Sequence, residues 1–128
     1  MYQIISIYFG ILVLDIDGTL TNSKKEITER TKIALRKAQE NGVVVVLASG
    51  RPTPGIKPIA EEIELAKYGG YILSFNGAVI TNYQTKEVIF EKVLPDGVVP
   101  ILYEESKKVN VSIVSYLDDV IITETPDN

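Results

Sequence analysis

A run of six apolar residues, VVVVLA at Val43–Ala48, constrains the fold of this chain more than any other segment. It shows no alternation of polar and apolar residues, which is typical of a parallel β-strand covered on both faces. A similar apolar run at Ile11–Asp15 predicts a buried strand earlier in the chain. Because parallel neighbours need a long crossover between them, the residues that separate these two runs should form a helix.

Residues 27–42 carry the start and stop signals of that helix. Thr28 is the predicted N-cap, and Asn41–Gly42 is typical of a left-handed helix end. The predicted buried face of the helix consists of Ile27, Thr31, Ala34, Leu35 and Ala38. A predicted loop, helix and strand then follow in that order, at residues 52–55, 56–69 and Tyr71–Phe75. This alternation of strands and helices predicts an α/β fold with a Rossmann-like, doubly wound parallel sheet.

The pattern changes in the second half of the chain. Short strands are predicted at residues 78–81, 86–93, 111–117 and 120–124, with one helix at Leu94–Lys108. Asp118–Asp119 reads as a turn between the last two strands. Because strands now outnumber helices, we predict that a partial Rossmann-like core over residues 1–77 is followed by part of an α+β domain over residues 78–128.

The composition excludes several kinds of chemistry. The chain has neither cysteine nor histidine, which rules out disulfides, zinc–thiolate sites and the Ser-His-Asp triad. Any reaction must therefore use carboxylates, hydroxyls, Lys, Arg or a bound hard metal ion. The net charge is −4 and no concentrated basic face is present, so we expect no nucleic-acid partner.

The first part of the chain, residues 1–14, is uncharged and largely apolar. A membrane span needs roughly 20 such residues, and a secretory signal needs a basic segment and a cleavage site. Neither pattern is present. We therefore predict a cytoplasmic protein without a membrane partner.

Polar residues follow two predicted neighbouring strands at the point where each strand ends. Asp15, Asp17 and Gly18 follow the first strand, and Ser49 and Gly50 follow the second. Ligands of parallel α/β sheets bind at this edge. One aspartate could attack phosphorus while the second acts as acid and base, with the hydroxyl and the glycine N–H groups on the phosphate. Clustered carboxylates favour Mg²⁺.

Three other interpretations of these aspartates fit the sequence less well. A plain strand-to-loop turn uses Asp and Gly only for turn chemistry, but it does not explain the polar residues after the second strand. A calcium loop requires Gly where Leu20 stands. A receiver domain requires an aspartate after the third strand, and none occurs between Asp17 and Asp96.

The segments DIDGTL and VVVVLASGR resemble the first two motifs of the haloacid dehalogenase superfamily. The helix at 27–42 and the segment YILSFNGAVI resemble its Cof-type branch, small-molecule phosphatases with an α/β cap. The resemblance implies that Asp15 is the nucleophile and a Mg²⁺ ligand, that Asp17 is the general acid/base and a ligand through its carbonyl, and that Ser49 binds the phosphoryl group. The remaining candidate phosphate- and substrate-binding residues are Gly18, Thr19, Gly50, Arg51, Asn76 and Gly77. For Arg51 a surface charge, and for Asn76–Gly77 a tight turn, stay equally open.

In this family a third motif with Lys and a fourth motif with Asp follow the cap. The printed sequence ends at Asn128, inside the predicted cap, and we expect little or no phosphatase activity from it alone. The expected partner is a small phosphorylated metabolite, with sugar phosphates first. The alternative is an inactive remnant that binds such metabolites or acts as an interaction module. Uncovered core surface predicts self-association.

Overall fold

The computed structural model describes residues 10–117 and 120–125. In chain order its elements are β1 (Gly10–Asp15), α1 (Glu29–Glu40), β2 (Val43–Ala48), α2 (Thr53–Glu62), β3 (Tyr71–Ser74), β4 (Val79–Asn82), β5 (Val88–Glu91), α3 (Val98–Lys108), β6 (Val114–Leu117) and β7 (Val120–Thr123). A short 3₁₀ turn, Phe75–Gly77, lies between β3 and β4. These elements form two compact units that divide after Lys92.

The first unit is built on a five-stranded sheet in the order β1-β2-β3-β4-β5. The first three strands are parallel, and the last two run antiparallel to their neighbours. Leu14 lies beside Leu47, and Leu47 lies beside Ile72, so one apolar row crosses the three parallel strands. The Rossmann-like α/β core predicted from the sequence is therefore confirmed.

The core of this unit lies on one face of the sheet, under α1 and α2. Its buried members are Ile16, Leu20, Ile27, Leu35, Val45, Leu47, Ile56, Ile59, Ala60, Ile63, Leu65, Ile72 and Tyr83. The middle of β2 is buried, as its apolar run predicts. In β1 the prediction of a fully buried strand was wrong, because burial alternates along it. Leu12 and Leu14 pack on the core, while Ile11 and Val13 on the other face are 74% and 57% exposed.

Helix α1 begins and ends where the sequence predicts. The Thr28 hydroxyl accepts a hydrogen bond from the Thr31 backbone N–H at 3.2 Å, and Gly42 has a left-handed φ of 85°. The buried face differs in part from the prediction, since Leu35 and Gln39 are its buried residues. The Gln39 Nε2 donates to the Ile63 carbonyl at 3.0 Å, which offsets part of the cost of burying the amide, while its Oε1 has no hydrogen-bond partner among the described residues.

Helix α2 was predicted with the wrong boundaries. It starts at Thr53, inside the predicted loop over 52–55, and it ends at Glu62 instead of continuing to residue 69. Prolines did not prevent the early start, because N–H groups in the first turn of a helix have no intrahelical partner to lose.

Strands β4 and β5 are short, as predicted; they pair antiparallel and extend the sheet of the first unit. The predicted domain boundary after residue 77 therefore falls inside this sheet, and the compact units divide after Lys92 instead. Strand β4 can pair with β3 because the chain reverses sharply at Phe75–Gly77. The assignment of the two predicted domains to a core and a cap stays a prediction.

The second unit contains α3 and the antiparallel pair β6–β7. Helix α3 starts at Val98, later than predicted, because Gly97 before it has a left-handed φ of 81°. The predicted turn at residues 118–119 and the apolar segment at residues 1–9 lie outside the described residues. Within the described part of the chain, no helix is long and apolar enough to cross a membrane.

Candidate active site

The loop that follows β1 turns back on itself and presents its carboxylates to solvent. The Leu20 N–H donates to the Asp15 carbonyl and the Thr21 N–H donates to the Ile16 carbonyl, each at 3.0 Å. Gly18 supplies the left-handed φ of 82° that this tight path requires. Ile16 and Leu20 are buried, while Asp15, Asp17, Gly18 and Thr19 are exposed. The buried residues thus hold the exposed ones at the carboxyl end of the sheet.

Asp15 and Asp17 differ in their partners. Among the described residues, no cation and no hydrogen-bond donor contacts the Asp15 carboxylate. The Asp17 carboxylate has three donors: Arg51 Nε at 2.9 Å from Oδ2, Arg51 Nη2 at 2.7 Å from Oδ1, and Lys25 Nζ at 2.7 Å from Oδ1. The hydrogen bonds from Arg51, and then those from Lys25, lower the pKa of Asp17 to about 2. Asp17 is therefore ionised at neutral pH, and the fold leaves Asp15 available to react.

Ser49 lies where β2 ends. Its backbone N–H donates to the Leu73 carbonyl at 3.0 Å, which continues the pairing of β2 with β3 by one residue. Its hydroxyl accepts a hydrogen bond from the Arg51 backbone N–H at 3.1 Å. Because Asp15 pairs with Ala48 across the β1–β2 register, Ser49 follows directly beside the nucleophile candidate. The predicted proximity of these strand ends is confirmed.

The loop after β3 packs on the loop after β2. The Asn76 N–H donates to the Ser49 carbonyl at 3.1 Å, and the Phe75 N–H donates to the Arg51 carbonyl at 3.0 Å. A Cβ added at Gly50 would lie 3.1 Å from Asn76 Oδ1, so a side chain there would crowd the amide. Phe75, Asn76 and Gly77 have successive φ values of 52°, 56° and 87°. Left-handed backbone at Phe75 and Asn76 is strained, and such strain is concentrated at functional sites.

The oxygen-rich donor set fits part of a magnesium site. The unpaired Asp15 carboxylate and the Asp17 backbone carbonyl are hard oxygen donors of the kind that Mg²⁺ prefers. The described residues contain no group of three or more His, Cys, Asp or Glu side chains that could hold a metal. Phosphate oxygens and water commonly complete magnesium sites in phosphoryl-transfer proteins. These two oxygen donors therefore fit a magnesium site that a phosphate ligand would complete.

The contact of Lys25 with Asp17 was not predicted from the sequence. The signal that could have indicated an ordered loop is Asn22, whose Oδ1 accepts from the N–H groups of Lys24 at 2.8 Å and Glu26 at 3.0 Å. The supports of Arg51 were also missed. Its Nη1 donates to the Gly55 carbonyl at 3.1 Å, and this contact depends on a helix start that the sequence placed too late.

Comparisons with known proteins agree with this geometry. Residues 12–128 match the family described as haloacid dehalogenase-like hydrolase. The crystal structure of a haloacid dehalogenase-like hydrolase from Bacteroides thetaiotaomicron is similar with a TM-score of 0.89 and 49% sequence identity, over 94% of this chain and 46% of that chain. YxeH of Bacillus subtilis (strain 168) is 37% identical over 98 residues, or 77% of this chain and 36% of the relative.

A third protein is similar over most of the chain at lower identity. The 5-amino-6-(5-phospho-D-ribitylamino)uracil phosphatase YcsE of Bacillus subtilis (strain 168) is 27% identical over 121 residues, which are 92% of this chain and 46% of the relative. The chain thus spans less than half the length of each of these three proteins.

Proposed function

The chain belongs to the haloacid dehalogenase-like hydrolase family, as its two motifs predict, and on that premise we propose that it carries the nucleophile-bearing part of a magnesium-dependent phosphatase site. The reaction proposed is the hydrolysis of a small phosphate monoester through an aspartyl-phosphate on Asp15. The observation that carries this proposal is the unpaired, exposed Asp15 carboxylate beside Asp17 and Ser49 at the carboxyl ends of β1 and β2.

In the first step, an Asp15 carboxylate oxygen forms a bond to phosphorus while the bond from phosphorus to the ester oxygen breaks. Asp17 gives a proton to the departing ester oxygen. In the second step, Asp17 takes a proton from water as the water oxygen attacks phosphorus, which releases inorganic phosphate and the Asp15 carboxylate. Since Asp17 is ionised when paired with Arg51 and Lys25, it must exchange part of this pairing for a proton before the first step.

The surrounding residues bind and orient the phosphoryl group. The Ser49 hydroxyl and the backbone N–H groups of Gly18, Thr19 and Gly50 are the proposed phosphate donors, and Arg51, Asn76 and Gly77 lie on the substrate side. Mg²⁺ held by the Asp15 carboxylate and the Asp17 carbonyl would neutralise phosphate charge. Positioned charge of this kind supplies most of the catalysis in phosphoryl transfer.

We propose a small phosphorylated metabolite as the substrate, with sugar phosphates first. Two relatives support this class. YcsE is named for a substrate that carries a 5-phospho-D-ribityl group, and YbhA of Escherichia coli (strain K12), 27% identical over 116 residues, is named a pyridoxal phosphate phosphatase. A cytoplasmic location and self-association through uncovered core surface stay predictions.

A second candidate function is binding of phosphorylated metabolites without turnover. The observation that favours it is that Arg51 and Lys25 hold the Asp17 carboxylate, the proposed acid, in its ionised form. An ionised carboxylate cannot give a proton to a departing ester oxygen.

The test is a hydrolysis assay on the purified chain with a panel of sugar phosphates, with and without Mg²⁺, beside a titration with inorganic phosphate followed by amide NMR. Phosphatase function predicts magnesium-dependent turnover, weak from this chain alone, that Asp15→Asn lowers to the uncatalysed rate and that Asp96→Asn leaves unchanged. Phosphate-induced shifts at Gly18, Ser49 and Gly50 without turnover would select the binding function. Absence of both turnover and shifts would contradict both proposals.

A further inference from the structure

We infer from the structure that Lys25 and Arg51 form a two-cation clamp that holds the Asp17 carboxylate in one orientation, and that Lys25 is therefore a positioning residue of the reaction. The catalytic half of this inference rests on the proposed function. The clamp itself rests on contacts among described residues. No role had been predicted for Lys25, and Arg51 had been assigned only to the substrate side.

The clamp joins cations from two different loops on one exposed carboxylate. Lys25 comes from the loop after β1, and Arg51 comes from the loop after β2. The Arg51 guanidinium is bidentate, with Nε on Oδ2 and Nη2 on Oδ1, a geometry that fixes orientation as well as distance. Lys25 Nζ adds a third donor, on Oδ1 at 2.7 Å. An isolated ion pair of an exposed lysine contributes little to stability, whereas a network that includes a bidentate arginine contributes more.

The backbone conformation and hydrogen bonds of the turn around Lys25 fix the position of this residue. Lys25 has a φ of 64°, a left-handed conformation that L-residues other than Gly, Asn and Asp rarely adopt. Its N–H donates to the Asn22 carbonyl at 2.9 Å, and the Asn22 N–H donates to the Glu26 carbonyl at 3.0 Å. Gly or Asn would satisfy this turn with less strain. The lysine found there brings its ammonium group to Asp17.

Arg51 is held independently of Asp17. Its backbone N–H donates to the Ser49 hydroxyl, its carbonyl accepts from the Phe75 N–H, and its Nη1 donates to the Gly55 carbonyl in the first turn of α2. The guanidinium therefore reaches Asp17 from a fixed base, and its side chain is 32% exposed against 64% for Lys25. Arg51 sets the plane of the carboxylate. Lys25, from the loop after β1, makes the number of hydrogen bonds on the two oxygens unequal, and both contacts together hold the Asp17 side chain in one χ1 rotamer.

The unequal number of hydrogen bonds on the two Asp17 oxygens bears on the proposed reaction. Oδ1 accepts from both Lys25 and Arg51, whereas Oδ2 accepts from Arg51 Nε alone. The oxygen with one partner is the easier one to free for a ligand, so the clamp directs Oδ2 to the proton transfer and keeps Oδ1 bound. Without Lys25 each oxygen would accept one hydrogen bond from Arg51, and the carboxylate would lose this preference for Oδ2.

The first measurement is the χ1 population of Asp17 from three-bond couplings by NMR on the 128-residue chain at neutral pH. We expect one rotamer in the unaltered chain and in Lys25→Arg, and averaging over at least two rotamers in Lys25→Met. Lys24→Met is the matched control, because the Lys24 side chain makes no ion pair with a described residue. Amide spectra check that each variant is folded. An unchanged Asp17 rotamer in Lys25→Met would overturn the clamp.

The second measurement is turnover of a sugar phosphate by the same variants. A positioning role predicts that Lys25→Met lowers kcat by ~10-fold with KM changed less than ~2-fold, that Lys25→Arg restores most of kcat, and that Lys24→Met matches the unaltered chain. Averaged Asp17 rotamers with an unchanged kcat would overturn the positioning role. If even the unaltered chain neither hydrolyses nor binds phosphate, the proposed function fails, while the rotamer measurement still decides the clamp.

Discussion

The two compact units of this chain bury their apolar residues to very different extents. The first unit, ending at Lys92, packs thirteen residues into one continuous buried cluster. In the described part of the second unit, Ser106 is the only buried residue, and apolar side chains such as Leu117, Ile121 and Val109 are 60–67% exposed.

This contrast in burial indicates which unit is stable by itself. Burial of apolar area is the dominant favourable contribution to folding, at roughly 25 cal/mol per Å². The first unit has this contribution within its own residues, and the candidate site lies on its sheet edge. The second unit has regular secondary structure with little burial, and short two-stranded sheets are marginal by themselves. We therefore expect the site-bearing unit to be the stable one.

The largest expected effect is in hydrogen exchange. Amides in β2, between two parallel neighbours in the core, should exchange only through global unfolding, whereas amides in β6 should exchange through local opening. We expect β2 amides to exchange at least ~10³-fold more slowly than β6 amides, measured by native-state exchange with NMR or mass spectrometry. Equal protection in β2 and β6 would contradict the comparison.

A smaller effect is expected from adding one methyl group in each unit. A Cβ at Gly70 would lie 2.2 Å from Leu65 Cδ1 and 2.6 Å from the Val45 carbonyl oxygen, so Gly70→Ala must displace the core or the backbone. We expect it to lower the free energy of unfolding by at least ~1–3 kcal/mol in urea denaturation.

The matched control for this substitution is Gly97→Ala in the second unit. Gly97 has a φ of 81° and nothing within 4 Å of an added Cβ, so only backbone strain of about 1–2 kcal/mol applies. If that strain falls on a unit that opens separately, the main urea transition should barely move. A shift as large as that of Gly70→Ala would mean that the two units unfold together.

The smallest expected effect is a pH dependence located in the first unit. The pKa of Asp17 is lowered to about 2 by hydrogen bonds from Arg51 and Lys25, from an ordinary value of 3.8. A lowered folded-state pKa stabilises the fold above the unfolded pKa, and this contribution is lost as pH falls through the folded pKa. The stability difference between the unaltered chain and Asp17→Asn should therefore be constant above about pH 5 and shrink as the pH falls towards 2. Urea denaturation of both proteins across this range measures it, and a difference that grows on acidification would contradict the ion pairs.

Local features of the fold were predictable because their causes are local. The β2 run and the Thr28 cap depend on residues next to each other in the chain, and both were predicted at the observed positions. The start of α2 was not, because prolines are compatible with a loop and with a first helical turn alike. The exposed face of β1 was also missed, since an apolar run does not reveal what covers each face.

The proximity of the candidate residues was predictable, and their side-chain partners were not. Asp15, Asp17 and Ser49 could be placed near one another because topology alone brings the ends of parallel strands together. The partners of Asp17 depend on side chains that cross between loops, with Arg51 34 positions away in the sequence and Lys25 held by an unusual φ. No periodicity or motif encodes these contacts. Sequence reasoning left the role of Arg51 open for the same reason.

The hydrogen bond from the Arg51 backbone to Ser49 has a consequence for ligand discrimination. A free hydroxyl is ambivalent, since it can donate or accept. At Ser49 the Arg51 N–H occupies one of the two acceptor positions of the oxygen at 3.1 Å, so the hydroxyl hydrogen is free to face a ligand. A phosphate dianion offers only acceptors and matches this polarity. The contact thus biases the Ser49 hydroxyl towards donation, which favours an acceptor-rich ligand over one that offers N–H groups.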